Sequence, residues 1–339
     1  MNSNNSIQIG DEKICVVIPA YRVASRIEAV IQGIPTWIWK IIVVDDKSPD
    51  DLADRVELLC NDRVELIRHE ENKGVGGAVM SGFSRAVELG ATILVKMDGD
   101  GQMDPVYLPE LLKPILCGHA DFAKGNRFGL LESISRMPLH RRIGNLSWSF
   151  LTKAGSGYWN LFDPNNGYLA LDADVYRRLE LTFLHPRYFF ETSLLVELNL
   201  VRAVAVEVPM PAIYAGEPSS LSVLIVLTTF PGLLISKFFR RIWLQYFAMN
   251  FSVGTIFLTL GSVMSLFGAI WGAVWWRNSI ITGTPATSGT VMVASLPLIL
   301  GFQMLLQALT LDVQGVPKDP QSDRAANRRY FNSRLNENR

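Results

Sequence analysis

The chain has 339 residues, 49% of them hydrophobic and only 19% charged, with a mean hydropathy of +0.20. That length suits one large domain with an appendage, or two domains, and so low a charge content points to a membrane part. A formal net charge of zero argues against a general nucleic-acid binder, but ten Lys/Arg against four Asp/Glu from Lys237 onward make the back of the chain basic.

In chain order, the N-terminal MNSNNSIQIGDEK is polar and lacks the basic-then-apolar pattern of a signal segment, so nothing sends the following domain outside the cell. ICVVIP (14–19), KIIVVD (40–45), VELIR (64–68) and ATILVKM (91–97) are β-branched runs of strand length. SRIEAVIQGI, SPDDLADRVELLC and GGAVMSGFSRAVELG between them have helical spacing. The alternation predicts an α/β domain: a Rossmann-like, mostly parallel sheet covered on both faces, which binds ligands at the carboxyl ends of its strands. Past about residue 120 it loosens into longer loops rich in Gly, Asn and Arg, and AVAVEVPM (203–210) is a final strand. Cys15, Cys60 and Cys117 are widely spaced and read as thiols in a reducing compartment.

The rest of the chain follows another rule. LSVLIVLTTFPGLLISKFF (221–239) is apolar but interrupted by a proline, and reads as one or two helices lying in a membrane interface. Ile242–Trp276 and Asn278–Leu311 contain no charged residue, and a bilayer-spanning helix needs about 20 apolar residues. A hairpin of two transmembrane helices joined around Arg277–Ser288 is expected, with Trp271, Trp275 and Trp276 as interface anchors; a buried soluble hairpin would need a second domain to cover it. Lys237, Arg240 and Arg241 precede the hairpin and Lys318, Arg324, Arg328, Arg329, Arg334 and Arg339 follow it, while Arg277 alone lies in the connection. The positive-inside rule then predicts a multi-pass protein of the cell (inner) membrane with both termini cytoplasmic. The expected divisions are 1–215 for the α/β domain, 216–242 for interfacial helices, 243–312 for two spans and 313–339 for a basic, disordered cytoplasmic tail.

Chemistry concentrates in LVKMDGDGQMDP (94–105), an apolar strand that ends in acids. Asp98 and Asp100 repel each other unless a cation lies between them. An EF-hand loop would need Gly and Glu where Met103 and Pro109 stand, and a plain Asp/Gly turn would not explain acids at the end of a buried parallel strand. Hard oxygen ligands suit Mg²⁺ or Mn²⁺ shared with a diphosphate. NKGVGGAV (72–79) has Val79 where a dinucleotide fingerprint needs its last glycine, and there is no Walker loop, so the phosphate ligand is held neither as NAD nor in a P-loop. KGNRFGLLESISRMPLHRR (124–142) carries Lys124, Arg127, Arg136, Arg141 and Arg142 against Glu132; it is either a solvated face or a site for a phosphate head group. His69, His119, His140 and His185 have no ligand spacing and are assigned no catalytic role.

VVIPAY (16–21), VVDDKSPD (43–50), NKGVGGA (72–78), DGDGQ (98–102), GNRF (125–128) and DPNNGY (163–168) occur in the order found in family 2 glycosyltransferases. Over residues 14–215 the chain most resembles the polyisoprenyl-phosphate glycosyltransferases, the group of dolichyl-phosphate mannose synthase, which also contains members with a C-terminal hairpin. The resemblance implies a GT-A catalytic domain. It implies that Pro19, Ala20, Tyr21, Asp46 and Asp98 bind the nucleotide sugar, and that Asp98, Asp100 and Gln102 hold the metal and diphosphate. Arg127, Arg141 and Arg142 would meet the acceptor phosphate, and Asp163 and Glu191 would lie at the reacting centre. The family often reads AYNE where this chain has Ala20-Tyr21-Arg22-Val23, so donor contacts through that Asn and Glu are missing.

The resulting expectation is an inverting, metal-dependent hexosyltransferase that moves sugar from a UDP- or GDP-linked donor to a polyprenyl phosphate at the cytoplasmic membrane face. A homo-oligomer is compatible with the sequence. The alternatives are a membrane glycosyltransferase with a sugar-hydroxyl acceptor, which would usually need more spans, and a non-catalytic anchor, which the intact D-x-D-x-Q disfavours.

Overall fold

Seven strands, β1 (Ile14–Ala20), β2 (Lys40–Asp45), β3 (Val64–Arg68), β4 (Ile93–Lys96), β5 (Phe122–Asn126), β6 (Leu169–Asp172) and β7 (Ala205–Pro209), form one sheet in the order β3-β2-β1-β4-β6-β5-β7. The computed structural model describes residues 12–128, 139–164, 166–211 and 223–329; of 139–147 and 223–227 it describes the backbone alone. The β1–β2, β1–β4, β2–β3 and β5–β7 pairs are parallel, whereas β6 runs antiparallel to both β4 and β5. Five strands coincide with the β-branched runs. The two unforeseen ones, FAKGN and LALD, are short, and the first contains a lysine, a glycine and an asparagine, which weaken any strand pattern.

Val16, Ile18, Ile41, Val43, Ile93 and Val95 project to one face, where they pack with Ile27 and Ile31 of α1 (Ala24–Gly33) and Leu108, Leu111 and Leu112 of α4 (Leu108–Leu116). On that side α2 (Leu52–Leu58) adds Leu52 and Val56. The opposite face, with Val17 and Val44, is covered by α3 (Gly74–Glu88). Each such fully buried aliphatic side chain contributes about 1.5–3 kcal/mol. Two further helices, α5 (Leu139–Ser156) and α6 (Phe190–Leu200), pack against each other, and α6 also meets α3.

The chain divides into two units, one running to Phe238 and resuming at Pro317, the other Phe239–Val316. The segment after the hairpin was expected to be a loose tail. Its described part instead belongs to the sheet-bearing unit. The backbone N–H groups of Gln321 and Ser322 donate to the buried Asp121 carboxylate (2.8–2.9 Å), and Arg328 pairs with Glu12 (2.8 Å) and Asp172 (2.5 Å). Residues 330–339 lie outside the described part.

The chain passes from the first unit to the second within α7 (Val223–Trp243), a single helix despite Pro231, in which Ile235, Phe239 and Trp243 recur every fourth residue and are exposed. The second unit contains α8 (Val253–Thr282) and α9 (Ser288–Gln314), both long and apolar enough to cross a membrane. They form an antiparallel pair around a turn at Gly283–Thr287, so Arg277 lies inside α8 and not in the connection. Gly261 lies where a Cβ would meet the Gly301 carbonyl at 2.9 Å, the close backbone approach of small-residue helix pairs. Arg241, counted above among the flanking cations, is buried and held two-pronged by Asp312 (2.7 and 3.1 Å), which also accepts from the Tyr246 hydroxyl (3.0 Å). Its charge is therefore balanced within this unit.

Candidate active site

The loop after β4 carries Asp98, Asp100 and Gln102 out of the sheet at its carboxyl edge. Asp98 Oδ1 accepts from Lys96 Nζ (2.8 Å), and Asp100 Oδ1 accepts from the Gln102 N–H (2.9 Å), which folds the loop back on itself. Arg26 Nη1 donates to the Asp100 carbonyl (3.0 Å). Burial raises the Asp100 carboxyl above the usual carboxylate range, and the neighbouring Asp98 charge adds to it. Among the described residues no hydrogen bond is made to Asp98 Oδ2 or Asp100 Oδ2, and no trio of His, Cys, Asp or Glu side chains closes on one point. Two neighbouring carboxylates, each with one oxygen that no hydrogen bond from the described residues engages, fit a divalent ion that takes its remaining ligands from a diphosphate and water.

Lys96 is buried in β4, and its ammonium also meets Glu191 Oε1 (3.3 Å), in the first turn of α6, and the Gly167 carbonyl (3.3 Å). Burial opposes the charge, but Asp98 and Glu191 raise its pKa above the ordinary lysine value. Glu191 is thereby placed beside Asp98.

A second locus lies at the end of β5. Arg127 grips Asp163 with Nε on Oδ2 and Nη2 on Oδ1 (2.9 Å each), and its own N–H adds a third bond (3.1 Å). Asp163 is 1% exposed. Glu207 of β7 accepts the N–H groups of Phe162 (2.7 Å) and Asp163 (2.6 Å) on one oxygen and Asn126 Nδ2 (2.6 Å) on the other, which fixes the loop that carries Asp163. Burial raises the Glu207 carboxyl against the pull of these donors. Lys124 Nζ donates to the Pro164 carbonyl (2.6 Å); burial pushes its ammonium down to about 8, against the pull of Asp163, Glu207 and Glu191. Lys96, Leu169, Lys124 and Glu207 are register partners across β4, β6, β5 and β7, so they form one row on one face.

At the ends of β1 and β2 the picture differs. Tyr21 is 43% exposed, with the Arg22 guanidinium 5.2 Å from its ring centre, while Pro19 and Ala20 lie in the strand. Asp46 is 3% exposed: Oδ1 takes His69 Nδ1 and the Lys73 N–H (2.8 Å each), and Oδ2 takes the Gly74 N–H (2.8 Å). His69 is fixed from its other nitrogen by Ser81 Oγ (2.9 Å). The carboxylate of Asp46 is thus engaged in holding the glycine-rich turn at the start of α3. The side chains of Arg141 and Arg142, on α5, lie outside the described residues.

The structure therefore brings Asp98, Asp100 and Glu191 to one locus and Arg127 with Asp163 to another, and turns Asp46 inward. Lys96 and Glu207 were not singled out as site residues from sequence, and Lys124 stood only within the basic stretch 124–142. For Lys96 and Glu207 a signal existed: each is a lone charge within an expected strand of an otherwise covered sheet, where an inward charge requires a partner. Lys124 lies in β5, whose sequence does not mark a strand.

A mostly parallel sheet with one reversed strand, and acids at its carboxyl edge suited to a metal and a diphosphate, is an α/β sheet of the class that binds phosphate-bearing ligands at that edge. The model of glycosyl transferase family 2 matches residues 15–179. A UDP-N-acetylglucosamine–dolichyl-phosphate N-acetylglucosaminyltransferase of Methanococcus voltae is 30% identical over 221 residues, covering 61% of this chain and 88% of its own. An undecaprenyl-phosphate mannosyltransferase of Micrococcus luteus is 31% identical over 179 residues, 50% of this chain and 70% of its own. The glucosyl-3-phosphoglycerate synthase of Mycobacterium tuberculosis, solved with Mn²⁺, UDP and glucosyl-3-phosphoglycerate, matches with a TM-score of 0.52 at 19% identity over 71% of this chain and 85% of that one, a likeness of fold. The chain belongs to glycosyl transferase family 2 and is a glycosyltransferase with a GT-A catalytic domain.

Proposed function

We propose that the enzyme transfers a hexose, with inversion, from a nucleotide sugar to a polyprenyl phosphate at the cytoplasmic face of the membrane. The observation that carries this reading is the pairing of two loci, one of outward carboxylates and one built on Arg127, in a chain with two helices long enough to span a bilayer. Relatives named for transfer to dolichyl and undecaprenyl phosphates support it. Asp98 and Asp100 would hold Mg²⁺ or Mn²⁺, which when bound neutralises the diphosphate of the departing nucleotide. Gln102 folds the loop that carries them, and Pro19–Tyr21 border the place for the nucleotide. Arg127, 38% exposed while gripping Asp163, presents a fixed cation to the acceptor phosphate, with Arg141 and Arg142 assigned the same role. The exposed stripe on α7 suits a helix lying at head-group level, where that phosphate is found. Incubation with a panel of labelled nucleotide sugars and a short polyprenyl phosphate tests the reading. One donor should label the lipid phosphate; label on a sugar hydroxyl, or none on lipid, would overturn it.

The chain leaves the sheet-bearing unit at Phe238 and rejoins it at Pro317. If α8 and α9 span the membrane, the catalytic domain and both ends of the hairpin share a side, and Gly283–Thr287 lies opposite. We expect a cysteine placed at Thr284 to react with an impermeant reagent from outside intact cells. Reaction only after the inner face is opened would refute this topology.

A further inference from the structure

We propose that Lys96 is a positioning residue for the metal-binding carboxylates: an internal cation that aims Asp98 and ties it to Glu191 before any ligand arrives. This rests on the assignment of Asp98 and Asp100 to the metal and diphosphate. Three segments far apart in sequence meet at its ammonium. These are the loop after β4 through Asp98 (2.8 Å), the loop before β6 through the Gly167 carbonyl (3.3 Å), and the start of α6 through Glu191 (3.3 Å). The side chain is 1% exposed, so these partners replace water around the charge, and the ammonium has three donors for three acceptors.

The geometry separates the two oxygens of Asp98. Oδ1 is held by Lys96, while Oδ2 is left with no hydrogen bond among the described residues, and the side chain is 32% exposed. A carboxylate pinned through one oxygen presents the other in a fixed direction, as outer partners of metal ligands do. Without the ammonium, Asp98 and Glu191 would be neighbouring acids with no cation joining them, beside Asp100, and Asp98 would turn away to reduce repulsion. Gly167 completes the arrangement. A Cβ there would collide with Lys96 Nζ and stand 3.2 Å from Asp98 Oδ2. The absence of a side chain at 167 is what lets the ammonium sit between its acceptors.

Positioning and simple charge make opposite predictions. If Lys96 were only a nearby positive charge, its removal would tighten Mn²⁺. If it aims Asp98, its removal weakens Mn²⁺ by about 10- to 100-fold, the usual cost of losing an outer partner of a metal ligand. The test is Mn²⁺ binding to the full-length protein, followed by electron paramagnetic resonance of the free ion, alone and with UDP or GDP added. Wild type, Lys96→Met and Gly167→Ala are compared, with near-UV circular dichroism as the check of fold. Gly167→Ala keeps the ammonium but displaces it, and should weaken Mn²⁺ in the same direction by a smaller factor. Folded Lys96→Met that binds Mn²⁺ as tightly as wild type, or more tightly, overturns the proposal. Should Lys96→Met not fold, unchanged Mn²⁺ affinity in Gly167→Ala overturns it equally. Wild type that binds no Mn²⁺ even with nucleotide would instead remove the metal assignment beneath it, a separate outcome read in the same titration.

Discussion

Asp100→Asn should lose most of the catalytic rate while the protein remains folded. On the proposed assignment, Asp98 and Asp100 would hold a divalent ion beside the donor's diphosphate, and that ion would stabilise the leaving group's negative charge by several kcal/mol. Losing even about 3 kcal/mol of that is about a 100-fold slower reaction. Stability should respond differently. Asp100 is half-buried beside Asp98, and its carboxyl is disfavoured in the charged form by burial, so asparagine removes a like-charge contact while keeping the acceptor for the Gln102 N–H. We therefore expect the melting temperature of the metal-free variant to equal or exceed that of wild type. Adding Mn²⁺ with nucleotide should raise it in wild type far more than in the variant. Excess EDTA should reproduce the loss of rate in wild type. Full activity in EDTA would sink the assignment of this loop.

How much of this was readable in advance follows from what each residue's pattern depends on. The strands β1 to β4 were legible because they are nearly unbroken β-branched runs, whose pattern is local. Asp98 and Asp100, the acids of the candidate site, stood out because they interrupt such a run where a parallel sheet binds ligands. Asp46 met the same criterion and yet points inward, since a strand end does not state which of two adjacent acids, Asp45 or Asp46, faces solvent; here both are buried. The reversed strand β6 was hidden because Leu169–Asp172 has four residues and its direction is set by pairing with β4 and β5, which no local pattern encodes. The return of Gln321–Arg328 to Asp121, Asp172 and Glu12 was equally invisible: a polar basic segment looks solvated until acids 156 to 316 positions away are placed beside it. The partners of Lys96 were hidden for the same reason, because Gly167 and Glu191 come from distant turns of the chain.

Asp163 is the other residue whose replacement should be severe, and the manner of the loss decides its role. A hydroxyl acceptor would need a carboxylate to take its proton, because a free alcohol is a poor nucleophile. A phosphate monoester has a second pKa of about 6 and is largely a dianion at pH 7, so it needs no base. The structure agrees with that economy, for both oxygens of Asp163 are engaged by Arg127. Asp163→Asn keeps the shape and one acceptor and should retain measurable turnover. Asp163→Ala strips the fork of its partner and should be worse; breaking a buried pair costs about 3–5 kcal/mol, and the low end applies because Arg127 is partly exposed. The pH profile supplies an independent reading. Lys124, pushed down to about 8 by burial, is held even that high partly by the Asp163 charge. As pH rises through about 8 it loses its proton, the cluster of Asp163, Glu207 and Glu191 loses the buried cation that balances it, and the rate should fall. Asparagine at 163 withdraws the charge that supports Lys124, so this alkaline decline should move to lower pH in Asp163→Asn, and raising the pH should not restore turnover. The opposite result has its own signature. If Asn and Ala are equally inactive, and the wild-type rate climbs with a carboxylate-like group that both lack, Asp163 is a general base. The acceptor is then a sugar hydroxyl and not a lipid phosphate.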